Sequence, residues 1–117
     1  MFRYSHLNGQ CVNPMEYFPI TVRLQEQQCL IVGGGDIACR KLKSLLKADA
    51  KVSLVALDFN DEIRKLAEEY QLTLFEQAFD ESLVAGNYLI VAATDNQELN
   101  QEVSDIAREH NIWINVV

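Results

Sequence analysis

The chain has 117 residues, enough for one domain that buries roughly two-thirds of its unfolded surface. Hydrophobic residues make up 49% and charged residues 23%, an ordinary globular composition, and a formal net charge of −7 argues against nucleic acid and anionic membrane as partners. It leaves an anionic cofactor open, because backbone N–H groups at a helix N-terminus bind phosphate without net positive charge.

Residues 1–14 are polar, lack periodicity and end at Pro14, and read as a flexible extension, with the folded part beginning near Met15. MFRYSHLNGQ has no apolar stretch of signal-peptide type, and the longest apolar runs, such as Leu89 to Ala93, fall far short of a membrane span. Cytoplasmic residence is the expectation. Cys11, Cys29 and Cys39 fit it, being odd in number and without C-x-x-C spacing; Cys29 and Cys39 read as inert core thiols. His6 and His110 have no paired ligand in sequence, so no metal site is expected.

Tyr17–Leu24 (YFPITVRL) alternates apolar residues and predicts an extended segment, with Pro19 pushing it to an edge. Cys29–Val32 is a short apolar run that ends in glycine, a buried strand. Asp36–Ala48 puts Ala38, Leu42, Leu45 and Leu46 on one helical face. Lys51–Leu57 is a second strand, and Asn60–Tyr70 a helix with Ile63, Leu66, Ala67 and Tyr70 at i, i+3, i+4 and i+7. Leu72–Gln77 is a third strand, Asp80–Val84 one short helical turn, and Tyr88–Ala93 a fourth strand apolar enough to be central. Asp95 with Glu98 has the form of a capping box and opens a helix with Leu99, Val103, Ile106 and Ala107 on its face; Ile112–Val117 is a fifth strand. Strand–helix alternation requires crossovers. It predicts an α/β fold, a Rossmann-like doubly wound parallel sheet in the order 3-2-1-4-5 with helices on both faces. The crevice between strands 1 and 4 is flanked by the loops Gly33–Asp36 and Thr94–Gln97.

Gly33-x-Gly35-x-x-Ala38 matches the dinucleotide fingerprint in its G-x-G-x-x-A form. Gly33 permits the tight turn off the strand, Gly35 lets backbone approach a pyrophosphate, and Ala38 lets the helix pack closely; a purely structural glycine turn is the competing account. Asp58 comes slightly late for the acid that binds ribose hydroxyls, and it either takes that role or caps the next helix. No arginine directly follows the second strand to receive a 2′-phosphate, which favours NAD over NADP; Arg64, one turn into the helix, reads as a solvated side chain. Asp36 either complements the helix dipole or lies near the cofactor. Asp95 reads as an N-cap before it reads as a general base. Asn115, polar among Ile, Trp and Val, needs partners if buried, and aim toward the crevice supplies them; Trp113 reads as core or interface.

The segments YFPITVRLQEQQCLIVGGGDIACRK and FEQAFDESLVAGNYLIVAATDNQELN, with the closing NVV, resemble the N-terminal domain of siroheme synthase. The likeness runs from about Met15 to Val117 and includes the LIVGGGDIA, Phe79–Leu83 and AATD stretches in the same order. It implies NAD-dependent dehydrogenation of precorrin-2 to sirohydrochlorin, followed in the family by Fe²⁺ insertion, and a homodimer. Carried over by position, it implies cofactor contacts at Gly33, Gly34, Gly35, Asp36 and Ile37, at Leu57 and Asp58, and at Ala93, Thr94 and Asp95. It moves Asp58 toward the ribose role and leaves Asn115 as a substrate-side candidate.

Where family members often carry Gly-Ala between the first helix and second strand, this chain has Asp49-Ala50, and Asp tolerates the left-handed conformation well. In the family an aspartate directly after Asn-Val-Val is the proposed acid/base for both reactions, and the sequence stops at Val117, before it and before the family's dimerisation and helical regions. Residues 15–117 are therefore expected to hold NAD and to turn over little precorrin-2 alone. The reading from another class is a non-catalytic nucleotide-sensing Rossmann module of the potassium-transport regulatory type.

Overall fold

The structure, a computed structural model, describes residues 21–117 together with His6–Leu7 and Gln10–Cys11. His6–Leu7 (β1) and Gln10–Cys11 (β2) form a short antiparallel ladder in the region read as an extension. The Met15 start and the Tyr17–Ile20 part of the edge segment lie outside the described residues.

Strand alternation and helix periodicity build the rest. The strands are β3 (Gln28–Val32), β4 (Lys51–Ala56), β5 (Thr73–Glu76), β6 (Leu89–Ala92) and β7 (Trp113–Val116). All pair in parallel, in the order β5-β4-β3-β6-β7, which is the predicted 3-2-1-4-5 winding counted from β3. Cys29 and Ile31 of β3, Val52 and Leu54 of β4 and Val91 of β6 face α1 (Asp36–Lys47) and α2 (Asp61–Tyr70), with Leu42 and Ile63 fully buried among them. Leu30 and Val32, Val55, and Ile90 and Ala92 face the other way, onto α3 (Gln97–Glu109) through Val103 and Ala107. Two cores, one on each side of the sheet, follow from a side-chain period of two in strands buried on both faces.

Thr21–Leu24 joins no ladder, a correction to the predicted edge segment. Both neighbours of β3 are already taken, and the chain turns back at Glu26 (φ 61°), where Gln27 N–H donates to the Leu24 carbonyl. Glu81–Leu83 forms the expected short turn as a 3₁₀ helix with Asp80 at its cap. Each helix passes to the next strand through a left-handed residue that is not glycine: Asp49 (φ 60°), Gln71 (φ 56°) and Asn111 (φ 57°). Trp113, Val116 and Val117 are about half exposed on or beside the edge strand, so Trp113 is not a core residue. Among the described residues no helix is long and apolar enough to cross a membrane, and no cluster of His, Cys, Asp or Glu could hold a metal.

Candidate functional site

The carboxyl ends of β3, β4 and β6 bring three loops into contact, and the glycines at 33 and 34 are what lets them meet. Gly33 has φ +143°, and a β-carbon on it would lie 2.4 Å from the Ala93 carbonyl oxygen after β6. A β-carbon on Gly34 would lie 2.0 Å from the Asp58 carbonyl oxygen after β4. Real contacts of that kind do not occur, so the protein's own packing requires glycine at both positions. Hydrogen bonds fix the same approach: Gly33 N–H donates to the Val55 carbonyl and Asn60 N–H to the Gly34 carbonyl, each at 2.9 Å. Ala38 is fully buried under the turn, 3.4 Å from that added β-carbon on Gly33, as the close helix–strand contact demands.

Gly35 differs. A β-carbon on it would meet nothing within 4 Å, and its backbone is extended (φ −102°). Nothing among the described residues stands where a β-carbon would sit, yet the residue is glycine, and it is the N-cap of α1 with no side-chain cap. The first N–H groups of α1 are therefore left to solvent or to a ligand, at the positive end of a twelve-residue helix. An open face of backbone beside uncapped N–H groups suits a pyrophosphate.

Around this cradle, Asp36 and Ile37 are exposed in the first turn of α1. The Asp36 carboxylate accepts from Asn60 Nδ2 at 3.2 Å, so it is turned toward α2 as well as complementing the helix dipole. Asn60, not Asp58, caps α2 by accepting from Ile63 N–H at 2.9 Å. That removes the capping account of Asp58. Its carboxylate is largely exposed and pairs instead with Arg64 Nη2 at 3.1 Å. Arg64 Nη2 also reaches Glu76 at 2.8 Å, its Nε donates to the Phe59 carbonyl at 3.3 Å, and its guanidinium lies 5.8 Å from the Phe59 ring centroid. The expectation of a merely solvated Arg64 is corrected. Its two carboxylate partners hold its pKa above the usual arginine value. Leu57 is 76% exposed in the same loop, an apolar side chain left largely uncovered by the described residues.

The β6 loop is held by a residue that sequence reasoning missed. Asn100 is 5% exposed, and its side chain accepts from Thr94 N–H at 3.2 Å and from the Thr94 hydroxyl at 2.7 Å while donating to the Thr94 carbonyl at 3.0 Å. The available signal was an amide three and seven residues before Val103 and Ala107, inside an otherwise apolar stripe. Asp95 is not the N-cap of α3; Asn96 is, accepting from Leu99 N–H at 3.1 Å, and the helix starts at Gln97. The Thr94 hydroxyl accepts from Asn96 N–H at 3.1 Å, which places Asn96 in the capping geometry and leaves Asp95 exposed.

Ala93 is buried against the glycine turn and Thr94 is half-buried beside it, so the loops after β3 and β6 meet as predicted. Asn115 lies on β7, the strand next to β6. It is exposed there, in register with Val91, so it is not the buried amide that would need a partner. An open concavity of about 420 Å³ lies at the other end of the sheet, between Gln28, Asp49, Lys51, Tyr70, Gln71 and Thr73. It borders the amino ends of the strands, whereas ligands of open parallel sheets bind at the carboxyl ends. Cys29 and Cys39 are buried; burial pushes the Cys29 thiol up to about 11.

A family model described as "Putative NAD(P)-binding" matches residues 20–117. The chain is 47% identical over 103 residues to siroheme synthase 2 of Pectobacterium atrosepticum and 43% identical to siroheme synthase of Psychromonas ingrahamii. Each match covers 88% of this chain and 22% of the relative, so the chain spans about a fifth of their length. Among solved structures, the precorrin-2 dehydrogenase SirC superposes with a TM-score of 0.73 at 26% identity, covering 85% of this chain and 48% of that one. D-lactate dehydrogenase with NAD⁺ from Lactobacillus jensenii matches over 84% of this chain and 37% of its own, with a TM-score of 0.53 at 13% identity, which shows a shared fold.

Proposed function

The chain belongs to this NAD(P)-binding family, and from that premise we propose that it is the NAD-binding module of an enzyme that dehydrogenates precorrin-2 to sirohydrochlorin on the way to siroheme. One observation carries the cofactor part: Gly35 is glycine where a β-carbon would meet nothing among the described residues, directly beside the uncapped start of α1. The siroheme synthase relatives and the precorrin-2 dehydrogenase neighbour support the substrate part. They favour a biosynthetic enzyme over a nucleotide-sensing module.

In this reading Gly33–Gly35 and the N–H groups of Asp36 and Ile37 hold the pyrophosphate, and Leu57 and Asp58 meet the adenosine ribose. Ala93, Thr94 and Asp95 border the nicotinamide side. Bound there, NAD supplies the hydride acceptor. The chain's own part is to orient it: Asn60 ties the β4 loop to the glycine turn, and Asn100 fixes the shape of the β6 loop. The tetrapyrrole, ferrous iron as a second substrate, a homodimeric assembly, a cytoplasmic setting and a 15–117 domain boundary belong to the same proposal. Asn115, exposed on β7 in register with Val91, is kept as the substrate-side candidate.

Calorimetric titration of the chain with NAD⁺ and NADP⁺ tests the first half, and heat with NAD⁺ is the expected result. Precorrin-2 oxidation, followed by the absorbance of sirohydrochlorin in a chain extended beyond Val117, tests the second. Absence of NAD⁺ binding to either chain overturns the cofactor assignment; binding without any sirohydrochlorin overturns the reaction.

A further inference from the structure

We propose that Arg64, held between Asp58 and Glu76, sets the preference between an adenosine ribose bearing a free 2′-hydroxyl and one bearing a 2′-phosphate. The inference rests on the proposed ribose-side role of the β4 loop, and it concerns a residue of α2 that follows that loop by one helical turn.

The geometry is specific. A single guanidinium nitrogen, Nη2, serves both carboxylates, at 3.1 Å to Asp58 and 2.8 Å to Glu76. Two carboxylates therefore share one guanidinium, which leaves a net negative charge on the group, and the backbone of one of its members, Asp58, abuts Gly34. A ribose hydroxyl approaching that point finds a carboxylate acceptor whose orientation Arg64 fixes. A 2′-phosphate, with close to two negative charges at neutral pH, finds the same carboxylate as a like charge. Exposed ion pairs of this kind contribute little to folding stability. Their effect on a charged ligand placed against them is different, because the ligand meets the net charge of the group.

Arg64 has two further holds besides the carboxylates. Its Nε donates to the Phe59 carbonyl, and the guanidinium lies near the Phe59 ring, which is itself buried. Once the carboxylates are removed, a preformed cation remains beside the ribose position, and arginine is well matched to phosphate oxygens. The discrimination is therefore reversible by neutral substitutions alone, with no new cation added.

The test is calorimetry with NAD⁺ and NADP⁺ on four proteins: the unsubstituted chain, Glu76→Gln, Asp58→Ala/Glu76→Gln, and that pair combined with Arg64→Gln. The unsubstituted chain is expected to bind NAD⁺ at least tenfold more tightly than NADP⁺. Glu76→Gln, on the exposed edge strand, should tighten NADP⁺ a few-fold. The double variant should tighten NADP⁺ about tenfold while weakening NAD⁺, and Arg64→Gln should erase the NADP⁺ gain. A gain that survives Arg64→Gln overturns the proposal, as does a double variant that still binds NAD⁺ but gains nothing for NADP⁺. Should the double variant fail to fold, an unchanged NADP⁺ affinity in Glu76→Gln overturns it alone. No NAD⁺ binding by the unsubstituted chain overturns the functional reading itself, and this inference falls with it.

Discussion

Replacing the three consecutive glycines one at a time should separate folding from binding within a span of three residues. Gly34→Ala places a methyl 2.0 Å from the Asp58 carbonyl oxygen, about 1.4 Å inside ordinary van der Waals contact. The obstacle is backbone, tied by the Asn60–Gly34 hydrogen bond, so it cannot swing away as a side chain would. Overpacking of this kind costs about 1–3 kcal/mol, which at about 4 °C per kcal/mol lowers Tm by roughly 4–12 °C. Gly33→Ala adds left-handed strain to a similar clash and should cost at least as much. Gly35→Ala has open space and a negative φ; the entropy gained on losing glycine offsets the slightly poorer N-cap, and the net effect should stay within about 0.5 kcal/mol. Its NAD⁺ affinity should nevertheless fall by at least tenfold, because the methyl stands where a pyrophosphate comes closest. Thermal unfolding by circular dichroism and NAD⁺ calorimetry on the same samples read both quantities. A Gly35→Ala protein that keeps its NAD⁺ affinity refutes the cradle, and a Gly34→Ala protein with an unchanged Tm refutes the packing argument.

Asn100→Leu leaves the Thr94 N–H and carbonyl without their buried partner and should cost about 2–3 kcal/mol in urea unfolding, with faster hydrogen exchange at Thr94. Asn60→Ala removes the α2 cap and the hold on Asp36, and should lower stability by about 1 kcal/mol in the same assay; an unchanged midpoint would show that the cap is dispensable. The Lys43–Glu62 pair holds the Glu62 carboxyl below its ordinary value, so its small contribution is present above the unfolded-state pKa and is lost as pH falls through the lower folded value. Glu62→Gln should flatten the acid limb of a stability–pH profile and leave neutral pH nearly unchanged. Cys29, fully buried with its thiol raised to about 11, should resist iodoacetamide in the native protein at pH 8 and react on unfolding. Native labelling found at Cys29 by peptide mapping would contradict its burial.

The fold was legible because the central strands β3, β4 and β6 are buried on both faces and each helix on one, so period and length carry the message. Leu30 and Ile31 point to opposite cores, and both have to be apolar. Strand order followed from the handedness of parallel crossovers. What failed was local and involved polar side chains competing for one task. Asp58 and Asn60 both suit an N-cap, as do Asp95 and Asn96, and one or two residues of register decide that the carboxylate is left free. Composition cannot make that choice; the backbone does, through the Gly34–Asn60 and Thr94–Asn96 hydrogen bonds. The possible burial of Asn115 was not borne out, because alternation marks a strand without saying whether it lies at the edge. Arg64 misled because its partners, Asp58 and Glu76, come together only when β4 and β5 are paired.

The three left-handed residues that end the helices, Asp49, Gln71 and Asn111, sit at the amino ends of β4, β5 and β7, across the sheet from the glycine turn. A side chain in that conformation raises the energy of the native state, most at Gln71 and least at Asp49 and Asn111, whose short polar groups tolerate it. Glycine at Gln71 would recover about 1 kcal/mol. Heat tolerance could therefore be raised from one rim of the molecule while cofactor recognition is altered from the other. A protein divided in this way can change its working temperature without changing what it binds.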